Sequence, residues 1–228
     1  MTIIRLHVTA EGPTEQAFVK NILSPHLSAF NVFSDARSVL TSKDNKTHKK
    51  FRGGLSSYQQ AKADIILWLK EDQHPECMFT TMFDLYALPD DFPGYATAAN
   101  KSNPYDKVSF LETEFGRDIN DKRFIPYIQL HEFEALILAD PQQLDWEYLE
   151  HDKPIKNLRT MVNTQNPELI NDGPQTAPSK RILDEIPEYD KVTSGVSVVQ
   201  KIGIQALRLK CRHFSDWLKK LEHQGHAS

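Results

Sequence analysis

"IIRLHVTAEGPTEQAF" (residues 3–18) decides the fold. Residues 3–9 are short, apolar and rich in β-branched side chains, which predicts a buried strand. A Gly-Pro-Thr turn follows. From Thr14 the spacing of Phe18 and Ile22 predicts a capped helix that ends near Pro25. The stretch is therefore the first half of a strand–helix unit, with Glu11 and Glu15 on either side of its turn. Carboxylates at a helix start are favoured by the helix dipole alone. The carboxyl end of a parallel strand is also where functional groups collect in open α/β sheets. The two readings part on whether other acids reach the same edge.

Further along, "FNVFSDARSVL" (30–40) is a weaker strand candidate, and "CMFTTMFD" (77–84) is an apolar strand ending in an acid. Between them, Tyr58, Ala61, Ile65 and Leu69 form one helical stripe, with Ser56 or Ser57 as its cap. The segment carrying Pro89, Pro93, Gly94 and Pro104 is too punctuated for a regular element. "KVSFLETEFGRDI" (107–119) aligns Val108, Leu111 and Phe115 on one helical face. "FIPYIQLHEFEALILAD" (124–140) starts extended and turns helical near Glu132. This alternation predicts an α/β fold, a mostly parallel sheet flanked by helices, over residues 1–140. After Pro141, helical segments around 155–163, 178–186, 196–210 and 213–222 predict a helical C-terminal extension, 141–228, packed on that core.

The chain has 228 residues, enough for one substantial core, and its 25% charged content lies near the globular average. With 27 basic against 31 acidic residues, any nucleic acid must be held by a local patch. Cys77 and Cys211 are far apart, which argues against a disulfide framework or a zinc–cysteine site and fits a reducing cytoplasm. Arg5 and His7 interrupt the N-terminal apolar run, so it reads as a strand and not as a signal peptide. No run reaches membrane-spanning length.

Acids stand at three strand ends: Glu11 after the first, Asp84 on another, and Glu132 and Glu134, beside His131, on a third. If the strands are neighbours, several carboxylates share one crevice. Such crowding is costly unless a cation neutralises it. Oxygen donors without cysteine select a hard ion, Mg²⁺ or Mn²⁺, and a pair of such ions suits phosphodiester cleavage. "HEFE" is not the zinc-protease HExxH, and residues two apart share a face only while extended.

These motifs carry a resemblance. "EGPTE" after a first strand and "FDLY" after a later one look like a Toprim domain, the fold of topoisomerases, primases and nucleases of the overcoming-lysogenization-defect type. "AEGPTE", "TTMFDLYALPDDFPG", "YIQLHEFEALILAD", "APSKRI" and "LKCRHFSDWL" together resemble a prokaryotic Toprim-like domain-of-unknown-function family, numbered 4276, across nearly the whole chain. The resemblance matches Glu11 to the Toprim glutamate and Asp84 to the first acid of the Asp-x-Asp motif. Tyr86 stands where the second acid belongs, so Glu15, Glu132 or Glu134 must complete a metal set. The resemblance implies a metal-dependent nuclease acting on DNA or RNA, in anti-phage defence, with an ATPase partner of the AAA or ABC type. Its alternative is a noncatalytic interaction subunit on the same fold; another is nucleotide transfer. No tyrosine has the context of a topoisomerase nucleophile.

For the nucleic acid, "ARSVLTSKDNKTHKKFRGG" (36–54) offers Lys43, Lys46, Lys49, Lys50 and Arg52 against the single acid Asp44, as a phosphate-gripping loop or a solvated surface. Lys180, Arg181 and Lys191 are further candidates. A basic side chain beside the metal, with Lys191 the catalytic candidate, would stabilise charge developing on a phosphoryl group; the alternative for each is an ordinary surface charge.

Overall fold

The computed structural model describes residues 2–43, 50–52, 55–163, 166–171, 173 and 175–225, with backbone alone for 40–43 and 50–52. Strand β1 (Ile4–Ala10) leads through Glu11 and Gly12 into α1 (Pro13–Phe18), which continues through a π turn (Val19–Leu23) into α2 (Ser24–Ser28). The helix thus runs past Pro25, contrary to the sequence expectation. A proline inside a helix removes one hydrogen bond and crowds the preceding turn. Here the preceding turn is already widened, with Ser24 N–H donating to the Val19 carbonyl five residues back.

Next come β2 (Val32–Ser38), the backbone pair β3 (Leu40–Lys43) and β4 (Lys50–Arg52), α3 (Tyr58–Glu71) and β5 (Cys77–Asp84). Then follow α4 (Tyr95–Ala98), α5 (Pro104–Ile119), β6 (Phe124–Ile125), β7 (Ile128–Gln129) and α6 (Glu134–Ile137). The chain ends in α7 (Asp152–Val162), α8 (Pro178–Glu185), α9 (Val196–Lys210) and α10 (Arg212–Gln224). Of the basic loop, Lys46 and Lys49 lie outside the described residues; Lys43 pairs with Lys50 in the backbone of β3–β4.

Among the described residues, β2, β1, β5 and β6 form a sheet in that order, with β7 also on β5, and every pairing is parallel. The register fixes the site. Ala10 lies opposite Met82, and Asp84 lies opposite Gln129, so Glu11, Asp84 and the segment after Gln129 leave the sheet at one edge. The third strand is broken where Pro126 has no N–H to give the ladder. Threonine hydroxyls of β5 take over: Thr80 Oγ1 donates to the Ile125 carbonyl, and Thr81 Oγ1 bonds both the carbonyl and the N–H of Tyr127.

Strand alternation sends side chains to two faces. Leu6 and Val8 join an apolar cluster with Phe18, Leu23, Phe133, Leu136 and Val199. Phe214, Trp217 and Leu221 of α10 belong to that same cluster, so the helices after Pro141 bury their stripe against the first strand and first helix. Trp217 Nε1 donates to Thr80 Oγ1 at 3.0 Å, and its ring stacks on Tyr127. On the other face, Phe79 and Phe83 of β5 pack with Tyr58, Ile65, Leu111 and Phe115. No described helix is long and apolar enough to cross a membrane.

The cap of α3 differs from the expectation. Ser57 occupies the cap position, but its hydroxyl donates to Asp91, whose carboxylate accepts from Tyr58 N–H at 2.9 Å. A distant acid caps the helix, anchoring the Pro-rich segment to it. Asp91→Ala is expected to cost about 1 kcal/mol, a fall in Tm of about 2–4 °C for a chain of this size. Thermal unfolding by circular dichroism checks this; an unchanged Tm would remove Asp91 from the cap.

Candidate metal centre

The edge built by this register collects Glu11, Glu15, Asp84, Glu132 and Glu134, all buried. Each is held by something local. Glu11 Oε2 accepts the Asp84 N–H at 2.8 Å, which ties the ends of β1 and β5 together. Glu15 Oε2 accepts the Gly12 N–H at 2.9 Å and closes the start of α1. The capping reading of Glu15 is therefore correct for one oxygen. The other, Oε1, turns to the crevice, 3.5 Å from the Lys191 ammonium.

Lys191 sits at the centre of the cluster. Its Nζ donates to Asp84 Oδ2 at 3.1 Å and stands 3.5 Å from Glu134 Oε2 as well as from Glu15. It lies in a π turn (Lys191–Gly195) at the head of α9, fixed by Asp190, whose carboxylate accepts from Thr193 N–H and Thr193 Oγ1. A Cβ on Gly195 would come within 2.7 Å of Tyr189 Oη, the hydroxyl that donates to Glu134 Oε1 at 3.4 Å, so a side chain there would displace that hydroxyl.

His131 delivers the remaining acids. Its backbone adopts φ = 62°, an uncommon left-handed conformation for a residue with a side chain. The kink ends the extended run, its carbonyl accepts from Tyr86 N–H, and Asn171 Nδ2 donates to its ring. Glu132 Oε1 then accepts the Ser179 N–H at 2.5 Å, while Glu134 begins α6. The strand-to-helix switch the sequence predicts near Glu132 is made by this one residue.

Burial dominates the electrostatics. It pushes the Glu11 carboxyl up to about 8, aided by the neighbouring Asp84 charge. Burial likewise raises Glu134 to about 8, with Lys191 opposing, and lifts Glu15 and Glu132 above their ordinary range. For Lys191, burial opposes the charge, but Asp84, Glu134 and Glu15 outweigh it and hold the ammonium firmly protonated. Three buried carboxylate oxygens, Glu15 Oε1, Asp84 Oδ1 and Glu134 Oε2, make no hydrogen bond. Oxygens in that state, in a donor set without sulfur or imidazole, fit a hard divalent cation.

Other sequence candidates fall elsewhere. Arg181 donates to the Thr176 carbonyl and contacts the Met161 sulfur, and Lys180 is exposed on α8. From that helix it is the Ser179 backbone that reaches the cluster. Tyr86 is 52% exposed.

At the opposite edge of the sheet, His7, Asp72 and Cys77 bring ligand-type atoms within 4.8 Å of one another. Their positive partners are already present. Arg5 pairs with Asp72, Arg123 donates to the Asp72 carbonyl, and His7 bonds Asp35 and Asp72 through its two nitrogens. No spacing in the sequence signals this network, because its members lie on separate elements.

The sequence model of the family described as Domain of unknown function (DUF4276) matches residues 10–222. The chain belongs to that family. The match takes in every acid of the cluster and Lys191, so this DUF4276 chain carries its candidate centre within the family's own boundaries. Among solved structures, the C-terminal region of the Xanthomonas campestris pv. campestris OLD protein is similar over 98% of each chain, at 14% identity and a TM-score of 0.44. No curated protein matches the sequence.

Raised carboxyl groups bind protons more tightly folded than unfolded. Their contribution to stability is thus full below the ordinary value near 4.5 and lost as pH rises through about 8. In chelator, the Tm of the protein is expected to fall between pH 5.5 and 8. Added Mn²⁺ should raise it more at pH 8 than at pH 5.5, because fewer protons compete for the ligands. An equal or absent Mn²⁺ increment at both values would argue against these carboxylates as ligands.

Proposed function

We propose that this protein is a divalent-cation-dependent phosphodiesterase acting on DNA or RNA, with Glu11, Glu15, Asp84, Glu132 and Glu134 as the ligand pool for Mg²⁺ or Mn²⁺. One observation carries the reading: five buried carboxyl groups gather at one edge of the sheet, and among the described residues one ammonium, Lys191, pairs with only three of them, Glu15, Asp84 and Glu134. Left to themselves they repel one another, and cation binding relieves that. The Toprim resemblance of "AEGPTE" and "FDLY" points the same way. The same resemblance implies an ATPase partner and a role in anti-phage defence.

A cation held there would stabilise negative charge on the attacking and leaving oxygens of the phosphodiester. The chain's own groups prepare for this. Gly12 N–H, Asp84 N–H and Ser179 N–H each fix one carboxylate oxygen and leave others directed inward. Lys191 keeps 34% of its side chain exposed, and an incoming phosphate oxygen would compete with the carboxylates for its ammonium. Paired with that oxygen, it would offset charge on the phosphoryl group.

The noncatalytic reading has one observation of its own: Lys191 already neutralises part of the cluster, as a permanent counterion would. Two variants separate the readings. Glu11→Gln and Asp84→Asn are each expected to lower Mn²⁺-dependent cleavage about a hundredfold or more, a loss of several kcal/mol of transition-state stabilisation, in an assay that includes the partner ATPase. Circular dichroism should show both folded. Full cleavage by both beside an active wild type would overturn the assignment. Lys191→Met should lower Tm in chelator, by leaving buried carboxylates unpaired, and Mn²⁺ should restore it. Failure of Mn²⁺ to restore it would favour the permanent counterion.

A further inference from the structure

A groove of about 450 Å³ opens beside the carboxylate cluster, between the turn after β5 and the start of α5. Leu85, Tyr86, Tyr95, Lys101, Lys107 and His131 are among its lining residues. Two of these connect it directly to the cluster. Tyr86 is two residues beyond Asp84, and His131 immediately precedes Glu132; a backbone hydrogen bond from Tyr86 N–H to the His131 carbonyl joins them.

The lining combines two chemistries. Tyr86 presents a phenol ring that is 52% exposed, although most large apolar side chains of this chain are buried. It stands where the Toprim pattern would place a second acid, yet it lines the groove and leaves the ligand work to Glu15, Glu132 and Glu134. Tyr95 lines the same groove. Lys101 lies over the Phe110 ring, 4.8 Å from its centroid, and neither Lys101 nor Lys107 pairs with a carboxylate among the described residues. Unpaired ammonium groups beside exposed aromatic rings match a phosphate and a base joined by a sugar.

We propose that this groove binds a nucleotide of a single-stranded nucleic acid next to the scissile phosphate, with Tyr86 as the base-stacking platform and Lys101 and Lys107 as the groups that meet phosphates. The proposal rests on the phosphodiesterase reading and names its substrate class. A base within a duplex has both faces covered by its neighbours, so stacking on Tyr86 requires an unpaired nucleotide. The groove volume lies within the ordinary range for small-ligand sites and suits one nucleotide, not a helix.

The test is equilibrium binding of a fluorescein-labelled oligothymidylate to the full chain, by anisotropy in chelator, where no cleavage occurs. The same sequence annealed as a duplex and free thymidine monophosphate serve as competitors. Tyr86→Ala is expected to weaken single-strand binding about 5- to 100-fold, the range for losing one base–aromatic stack. Lys101→Gln with Lys107→Gln should lower the salt slope by roughly 0.7 for each phosphate that is no longer neutralised. Tyr86→Phe should bind as the wild type does, since the ring and not the hydroxyl is required. Equal affinity of wild type and Tyr86→Ala, absence of wild-type binding, or competition by duplex or free mononucleotide as strong as by the single strand would each overturn the proposal. Cleavage that still depends on Glu11 and Asp84 would then leave the phosphodiesterase reading standing, and loss of that dependence with intact Tyr86-dependent binding would do the reverse.

Discussion

The rest of this structure depends on the confinement of like charges. Five carboxyl groups lie buried at one edge of a parallel sheet, and among the described residues one ammonium, from a segment 107 residues beyond Asp84, stands beside them. Burial is the main reason that Glu11 and Glu134 rise to about 8, and the neighbouring acids add to it. The fold tolerates the arrangement because several acids also do structural work. Glu11 fastens β5 to β1, Glu15 closes α1, and Glu132 receives the start of α8. Removing any one therefore changes both charge and connectivity, and the two effects have opposite signs for stability.

Much of this geometry follows from register. The parallel alignment that sets Ala10 beside Met82 sends Glu11 and Asp84 out together, and the Asp84–Gln129 pairing brings the third strand's acids to the same place. "CMFTTMFD" was legible as a strand because its apolar run is bounded and ends in an acid. Glu11 and Asp84 were legible as partners because parallel strands collect their carboxyl ends. Glu15 was ambiguous between cap and ligand; one of its oxygens closes α1 and the other faces Lys191 in the crevice.

Other features were not legible, for physical reasons. Pro25 reads as a stop because a regular helix cannot accommodate it; the π turn that does so leaves no mark in the spacing of apolar residues. The cap of α3 reads as a serine because capping is sought locally, whereas Asp91 arrives through tertiary structure. Lys191 was legible as a candidate basic group, but its segment, "EYDKVTSG", resembles any surface turn, so its three carboxylate partners were not. Its meaning lies in a contact that no local periodicity encodes. The groove lining comes from a stretch so punctuated by proline that it reads as irregular, and irregular backbone is where recognition residues gather on a rigid scaffold.

Lys191 and the tyrosine at position 86 bear on the same question, how a centre with one acid fewer than the Toprim pattern holds its charge. A second acid after Asp84 would add to a cluster whose acids already exceed its single described ammonium. On the proposed reading, Tyr86 lines the neighbouring groove and the oxygens come instead from Glu15 and from the "HEFE" segment, which follows the His131 kink. Glu15 and Glu132 are each held by a backbone N–H, from Gly12 and Ser179, and Lys191 reaches the cluster from the head of α9. On the proposed reading, the ammonium and the cation compete for the same oxygens. Cation occupancy then depends on where the π turn before α9 holds Lys191, and that turn is kept in place by Asp190 below it and by the close fit of Gly195 against Tyr189. The C-terminal helices are in this sense part of the centre: they supply the one positive charge whose position decides how much attraction the five acids have left for a metal ion.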